Sequence, residues 1–213
     1  MPLDPLWLRK GLVIGSALMY WAGVFIQVHR VRKHIGRSPN VRPRGWKERV
    51  LWLGWLLVVA GWFTQPFVIG KVNHPLFSLI PFLINPIGFL LGLLLMVGGY
   101  AGTRWCYAAL GDAWRMGVSR REKAALITHG PYRYVRHPIY LFQIMMLVGA
   151  ILLLPTPLSF ILLFVHLLCV FAKAADEEIY LLHVHGIEYQ AYLSSTGRLL
   201  PRMDVFLKRH SGV

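Results

Sequence analysis

The feature that most constrains this chain is a run of 35 consecutive residues, 138–172, that contains no Lys, Arg, Asp or Glu. About 20 apolar residues are enough to cross a bilayer core of roughly 30 Å. Pro155 and Pro157 interrupt the run near its middle, and a proline ends or kinks a helix. The run therefore predicts a membrane-embedded helical hairpin, whose second arm continues through polar sequence as far as Gly186.

Three further apolar windows precede the hairpin, at about residues 11–28, 50–69 and 82–100. The chain is 56% hydrophobic and 15% charged, whereas soluble domains are roughly one-quarter charged. We therefore expect an all-α polytopic membrane bundle of about five transmembrane helices. Glycines four apart in the third window, Gly88 and Gly92, and the following GGYAG are typical of closely packed membrane helices rather than of a nucleotide loop.

The positive charge of the chain is concentrated in a few segments. Of 23 Lys and Arg, eight lie in residues 29–49, seven in 104–136 and five from Lys173 onward. Apolar spans separate these groups, which is the positive-inside pattern and not a nucleic-acid surface. We expect a multi-pass protein of a bacterial inner membrane with the basic segments on the cytoplasmic side, in contact with the lipid bilayer and with no nucleic-acid partner.

A polar cluster, GPYRYVRHPIY at residues 130–140, stands directly before the hairpin. His137 precedes a proline, which disfavours helix, and Pro138 suits the first helical position. The N–H groups at the start of that helix would attract anions. Aromatic and basic side chains at this level are equally typical of an interfacial belt that touches lipid headgroups.

Three consecutive acids, Asp176, Glu177 and Glu178, follow the second arm of the hairpin. If the hairpin closes, they face the cluster at 130–140. One interpretation is mutual neutralisation of charge. The other is a pocket for a zwitterion, with a carboxylate on arginine or on helix-start N–H groups, an ammonium on Glu177, and aromatic walls. Neither cysteine has the spacing of a metal ligand, and we expect no metal.

The segments LITHGPYRYVRHPIY, DEEIYLLHVHGIEYQAYL and RLLPR together resemble the isoprenylcysteine carboxyl methyltransferase family, whose relatives include phospholipid methyltransferases. The resemblance covers about residues 107–203. It implies methyl transfer from S-adenosyl-L-methionine inside the membrane, with S-adenosyl-L-homocysteine as product. It also implies a division into three N-terminal spans, 1–105, and a catalytic region, 106–213, that holds the hairpin, a cytoplasmic cofactor pocket and a cytoplasmic C-terminal helix.

The resemblance assigns roles to individual positions. Candidate catalytic residues are Arg136, Glu178 and Lys173, and candidate substrate contacts are Lys173 and Arg115. The cofactor would be held by Ala124, Ala125, Leu126, Ile127, Tyr132, His137, Pro138, Ile139, Tyr140 and Glu177. Lys173 stands where the family often has arginine, and lysine lacks the bidentate fork that grips a carboxylate. This difference argues against a prenylcysteine carboxylate as substrate.

The acceptor and some alternatives stay open at this point. Prenylated cysteine, a phospholipid amine, a small thiol and a hydrophobic acid all suit the sequence as acceptors. An amine or a thiol would need a base, for which His129, His183, His185 and Glu178 are candidates. His166, within the apolar run, is expected to hydrogen-bond inside the bundle or to face a cavity. An NADPH-dependent sterol-type reductase and a non-catalytic membrane scaffold are the alternative functions, and the sequence leaves the oligomeric state open.

Overall fold

A computed structural model describes residues 5–36, 45–114 and 125–202, and these ranges contain helices and no β-strand. The α-helices are α1 (Leu6–Ile35), α2 (Trp46–Val68), α3 (Pro86–Leu110), α4 (Pro138–Leu153), α5 (Pro157–His185) and α6 (Ile187–Ser195). Helices α1, α2, α3 and α5 are long and apolar enough to cross a membrane, and α4 is a shorter apolar helix. The predicted all-α membrane bundle is confirmed, and the chain is an integral membrane protein.

The hairpin of α4 and α5 forms where the prolines predict it. Pro157 is the first residue of α5, and the Thr156 side chain caps the helix by accepting a hydrogen bond from the Ser159 N–H at 3.2 Å. Helix α5 then runs for 29 residues and ends at Gly186, which has a φ of +53°. At 1.5 Å per residue it is about 43 Å long, so its last turns extend past the hydrocarbon core.

Helix α3 packs against α4 through glycines. A Cβ on Gly99 would lie 2.6 Å from Met146 Cγ and 2.7 Å from the Phe142 carbonyl oxygen, and one on Gly92 would lie 2.9 Å from the Gly149 carbonyl oxygen. These approaches are closer than any side chain tolerates. The expected packing role therefore holds at these positions, whereas Gly88 lies near Leu83 and Asn85, at the start of its own helix.

The limits of α1 and α3 differ from the predicted windows. Helix α3 begins at Pro86 and not near Phe82, because Asn85 caps it: its Oδ1 accepts from the Gly88 N–H at 2.7 Å. Phe82 lies in a short 3-10 helix, Pro81–Leu83. Pro39, Pro43 and Gly45 predict a loop for the basic segment 29–49, but helix α1 continues to Ile35, so the first basic residues of the segment are helical. Residues 37–44 lie outside the described residues.

Two basic residues at the start of α1 bind helix ends. Arg9 is 1% exposed and donates to the carbonyl oxygens of Leu152 (3.3 Å) and Leu153 (3.1 Å), at the C-terminus of α4. Lys10 Nζ donates to the Ile69 carbonyl oxygen, at the C-terminus of α2, at 2.6 Å. A cation suits these carbonyls, which lack helical partners and carry the negative end of the helix dipole.

The five apolar helices alternate in direction, so the bundle has two distinct ends. We call the end where α1, α3 and α5 finish, and α2 and α4 begin, the motif end, because the cluster at 130–140 lies there; Arg9 and Lys10 lie at the opposite end. The boundary expected between residues 105 and 106 falls inside α3, which packs along α4.

Candidate functional site

The loop before α4 is held by the segment that follows α6. Residues 130–133 form a 3-10 helix, and the Tyr192 hydroxyl of α6 donates to the Tyr132 carbonyl oxygen at 2.6 Å. The Arg136 N–H donates to the Gly197 carbonyl oxygen at 2.9 Å and the His137 N–H to that of Arg198 at 3.0 Å. These backbone bonds fix the loop directly ahead of the first turn of α4.

The backbone bonds between this segment and the loop require a glycine at position 197, because the chain packs closely there. A Cβ at this position would lie 1.8 Å from the Leu200 carbonyl oxygen, well inside van der Waals contact. The chain turns tightly here, and that turn brings Arg198 back toward α5. The RLLPR segment noted in the sequence therefore takes part in building the site.

Glu178 is the centre of an ion-pair network at the motif end. Its side chain is buried, and its carboxylate accepts from Arg136 Nε at 2.9 Å, from Arg198 Nη2 at 2.5 Å and from His137 Nε2 at 3.3 Å. Arg136 also donates to the carbonyl oxygens of Leu193 and Thr196. The donors of Arg136 and the oxygens of Glu178 are thus used in joining the loop, α5 and the C-terminal segment.

Glu177, the next residue of α5, faces a cavity instead. Its Oε1 accepts from the Tyr140 hydroxyl at 2.9 Å, and its Oε2 lies 3.4 Å from His137 Nδ1. The rings of His137 and Tyr140 stack with centroids 5.6 Å apart. Because the side chain of Glu177 keeps about a fifth of its surface accessible, its carboxylate has room for a further donor or cation.

His137 lies between both carboxylates. Burial favours the neutral ring, but the hydrogen bonds and charges of Glu177 and Glu178 outweigh burial and raise the pKa of His137 above its usual 6.5. Since each ring nitrogen faces a carboxylate, the doubly protonated imidazolium suits this position. Burial raises the pKa of Tyr132 well above that of an ordinary phenol, so Tyr132 is a neutral hydroxyl group.

A cavity of about 500 Å³ extends from this cluster into the bundle. At the motif end Tyr132, His137, Tyr140 and Glu177 line it, together with His185 and Tyr189. Toward the bundle interior its walls come from α1, α2, α4 and α5, and they include Tyr20, Trp55, Val58, Trp62, Gln143, Met146, Leu147 and His166. One continuous space therefore joins a charged, aromatic end to a mainly apolar interior.

Most of the residues predicted for the site line this cavity. They are Ala125, Leu126, Ile127, Tyr132, Arg136, His137, Ile139, Tyr140, Lys173 and Glu177. Pro138 is the first residue of α4, and Glu178 lies in the ion-pair network beside the cavity. Arg115 and Ala124 lie outside the described residues. The roles assigned to all these residues stay predictions.

The interior lining was largely missed by sequence reasoning. Trp55 contacts both Tyr140 and His166, with ring centroids 5.9 and 5.5 Å apart. His166 lines the cavity, one of the two placements expected for it. The signal for His166 is its spacing: it precedes Lys173 by seven residues and Glu177 by eleven, which places all three on one face of a helix. No comparable pattern marks Trp55, Tyr20 or Gln143.

A comparison of the chain with known protein families gives one match. The model of the isoprenylcysteine carboxyl methyltransferase (ICMT) family matches residues 90–183, just under half of the chain. This region of the chain is ICMT-like. The match confirms the resemblance seen in the sequence and supports a membrane methyltransferase; no curated protein matches the chain in a sequence search.

The ICMT-like region includes most of α3, the loop before α4, the hairpin and Glu177. It ends at residue 183, before α6 and before the Arg198 that binds Glu178. The network around Glu178 therefore joins the ICMT-like region to the C-terminal segment. Within the described residues, no group of three or more His, Cys, Asp or Glu side chains is placed to hold a metal ion.

Proposed function

We propose that this protein is an integral membrane methyltransferase that uses S-adenosyl-L-methionine and transfers its methyl group to a lipophilic or small acceptor. The observation that carries the proposal is the single cavity joining Glu177, Tyr140 and His137 at the motif end to the apolar interior between α2, α4 and α5. A charged methyl donor and an oily acceptor meet in such a space.

The cavity suits a positively charged donor. S-adenosyl-L-methionine carries a sulfonium and an ammonium group, and a carboxylate with aromatic walls stabilises cations. The residues that would hold it are Ala124 to Ile127, Tyr132, residues 137–140 and Glu177. A dinucleotide such as NADPH instead needs several partners for its phosphates. Of the two Arg or Lys among the described lining residues, Arg136 is bound to Glu178.

When bound, the cofactor supplies an electrophilic methyl carbon, and the protein has to align the acceptor with that carbon and exclude water. The aromatic and aliphatic walls contributed by α2 and α4 perform the exclusion. Arg136 and Glu178 hold the loop that carries Tyr132 and His137. Lys173, one turn before Glu177 on α5 and lining the same cavity, is the acceptor contact in this proposal.

The acceptor determines whether a base is needed. A carboxylate is already ionised at neutral pH, whereas an amine or a thiol has to lose a proton before it attacks. Prenylated cysteine, a phospholipid amine and a small thiol all suit the apolar interior. Labelled methyl transfer from S-adenosyl-L-methionine to a crude lipid and small-molecule extract identifies the class that reacts.

The binding test compares two neighbouring acids. Purified protein in micelles is titrated with S-adenosyl-L-homocysteine, and we expect saturable heat of binding and a rise in melting temperature. Glu177→Gln should abolish this binding while the folded fraction, measured by size-exclusion profile and circular dichroism, stays unchanged. Asp176→Asn is the matched control, because Asp176 is exposed and is not among the residues that line the cavity.

The alternatives give different results in the same titration. A sterol-type reductase would bind NADPH in place of S-adenosyl-L-homocysteine, and a scaffold would bind neither. Equal affinity of wild type and Glu177→Gln for S-adenosyl-L-homocysteine would show that Glu177 does not bind the cofactor.

A further inference from the structure

Inside the bundle, the cavity is lined by three polar side chains that each have one atom without a hydrogen-bond partner among the described residues, and by Trp21 of α1, whose Nε1 is unpaired as well. Gln143 of α4, His166 of α5 and Trp62 of α2 all line the cavity. Gln143 Oε1, His166 Nε2 and Trp62 Nε1 are buried and have no hydrogen-bond partner among the described residues. Unpaired polar groups are unfavourable in a bilayer interior, so three of them around one space point to a ligand with hydrogen-bonding capacity.

His166 lies deeper in the bundle than the proposed cofactor contact on the same helix, Glu177. His166 precedes Glu177 by eleven residues on the same face of α5, which places it about 16 Å further along the helix axis. The Trp55 ring stands between the two levels, in contact with Tyr140 on one side and His166 on the other. A molecule that extends beyond Trp55 would lie in the interior part of the cavity, where an acceptor would bind.

The chemistry of the three groups defines what they would bind. The Gln143 amide nitrogen already donates to the Tyr20 hydroxyl, which leaves its oxygen as an acceptor. Trp62 Nε1 is a donor, and a neutral imidazole nitrogen serves in either role. A hydroxyl group both donates and accepts, whereas a hydrocarbon does neither.

An ionic group is a poor match for this part of the cavity. Residues 50–70 and 138–172, which carry the three side chains, contain no Lys, Arg, Asp or Glu. A buried charge without a partner of opposite sign is strongly unfavourable. The lining therefore selects an uncharged polar group within an otherwise apolar molecule.

Resting on the proposed function, we propose that the methyl acceptor is a lipophilic molecule that carries an uncharged hydroxyl group, and that His166 and Gln143 hydrogen-bond to this group in the interior part of the cavity. These two side chains then determine specificity. They distinguish a hydroxylated lipid from a hydrocarbon chain of the same length.

The test uses a matched pair of probes, a long-chain 4-alkylphenol and the alkylbenzene of the same chain length. Each is titrated into purified protein in micelles, and binding is followed by tryptophan fluorescence, since Trp55 and Trp62 line the cavity. The measured quantity is the ratio of the two affinities. Partitioning into micelles affects every variant equally, so a change in the ratio reports on the protein.

We expect His166→Leu and Gln143→Leu each to lower the phenol-to-benzene ratio by about tenfold, the effect of one hydrogen bond, with alkylbenzene affinity unchanged. His166→Gln, which keeps a donor and an acceptor, should retain most of the ratio and provides a milder variant. Gln65→Leu is the control: Gln65 is buried in α2, bonds to Ser159 Oγ at 2.6 Å and does not line the cavity. Its ratio should equal that of wild type.

The inference would be overturned if His166→Leu, His166→Gln and Gln143→Leu all keep the wild-type ratio of phenol affinity to alkylbenzene affinity. S-adenosyl-L-homocysteine is titrated into the same samples to separate the two proposals. A wild-type protein that binds S-adenosyl-L-homocysteine but shows no preference for the phenol defeats the hydroxyl-binding site alone. A preserved phenol preference that depends on His166, in a protein that binds no S-adenosyl-L-homocysteine, defeats the proposed methyltransferase chemistry alone.

Discussion

Two adjacent carboxylates on α5 differ in what they bind, because neighbouring residues on a helix point about 100° apart. Glu178 turns toward the loop and the C-terminal segment, where Arg136 and Arg198 bind it. Glu177 turns toward the cavity, where Tyr140 and His137 leave part of its carboxylate accessible. The acidic triplet therefore provides charge neutralisation at one residue and a ligand-facing group at the next.

The network around Glu178 predicts a stability effect. In Glu178→Gln, the largely buried side chain of Arg136, which is 11% exposed, loses its ionic partner, and breaking a buried pair costs about 3 kcal/mol. Arg198 is more exposed and adds less. We expect a clear fall in the melting temperature measured in micelles, in contrast with the stable fold of Glu177→Gln. Melting temperatures equal for wild type and Glu178→Gln would show that the network contributes nothing to stability.

The raised pKa of His137 predicts how stability depends on pH. A group whose pKa is higher in the folded state stabilises the fold in its protonated form. The contribution is full below the usual value of 6.5 and is lost as pH rises through the higher folded value. We expect the excess melting temperature of wild type over His137→Gln to be largest below pH 6.5 and to shrink toward alkaline pH. A constant excess from pH 5.5 to 9 would contradict a charged His137.

At the scale of single residues, the sequence predicts that a polar cluster forms but not which side chains pair within it. The motif places Tyr140, His137 and Glu177 together, and the structure does bring them together. The partners of Glu178 lie 42 and 20 residues away in the chain, and no local pattern selects Arg136 or Arg198 from the other basic residues. Gly197 is likewise required only by a backbone approach that forms in three dimensions.

At the scale of the elements, two neighbouring glycines of α3 differ in how closely they pack against α4. A Cβ on Gly99 would lie 2.7 Å from the Phe142 carbonyl oxygen, whereas one on Gly98 meets nothing closer than Met145 Cε at 3.8 Å. Gly99→Ala should therefore push the helices apart and lower the free energy of unfolding by about 2 kcal/mol. Gly98→Ala should be neutral or slightly stabilising, since alanine favours helix over glycine.

The check is thermal unfolding of both variants in micelles, with S-adenosyl-L-homocysteine affinity as a second readout. Because α4 begins at the loop that carries His137, a shift of α4 in Gly99→Ala should also weaken binding. Equal melting temperatures for the two alanine variants would show that α3 and α4 adjust without cost.

The hairpin was predictable because Pro155 and Pro157 mark its turn locally. The limits of α1 and α3 were not predictable, because hydropathy indicates the membrane-embedded part of a helix and not its polar or aromatic extensions. Arg9 and Lys10, two of the three cations outside the basic clusters, had no predicted role. Their role becomes visible only where Arg9 and Lys10 meet the C-termini of α4 and α2.

For the whole molecule, the alternating directions of α1 to α5 place the N-terminus of α1 and the C-terminus of α5 at opposite ends of the bundle. The motif end carries the basic residues at the end of α1, in the loop before α4 and in the segment that follows α6. From the positive-inside rule we expect this end to face the cytoplasm, where a water-soluble cofactor would reach Glu177.

Single cysteines test this orientation. Ser78 is exposed at the opposite end, after α2, and Ser194 is exposed in α6 at the motif end. In intact bacterial cells that express the protein, a membrane-impermeant maleimide should label Ser78→Cys and leave Ser194→Cys unlabelled. The native Cys106 and Cys169 are buried and should contribute little background.

Permeabilised cells provide the control, because both variants should then react. Labelling of Ser194→Cys in intact cells, with Ser78→Cys protected, would place the motif end outside the cell. The cavity would then open away from the compartment that holds S-adenosyl-L-methionine, and the proposed chemistry would lose its donor. The orientation of the bundle and the identity of the cofactor therefore depend on each other, and the labelling pattern tests both.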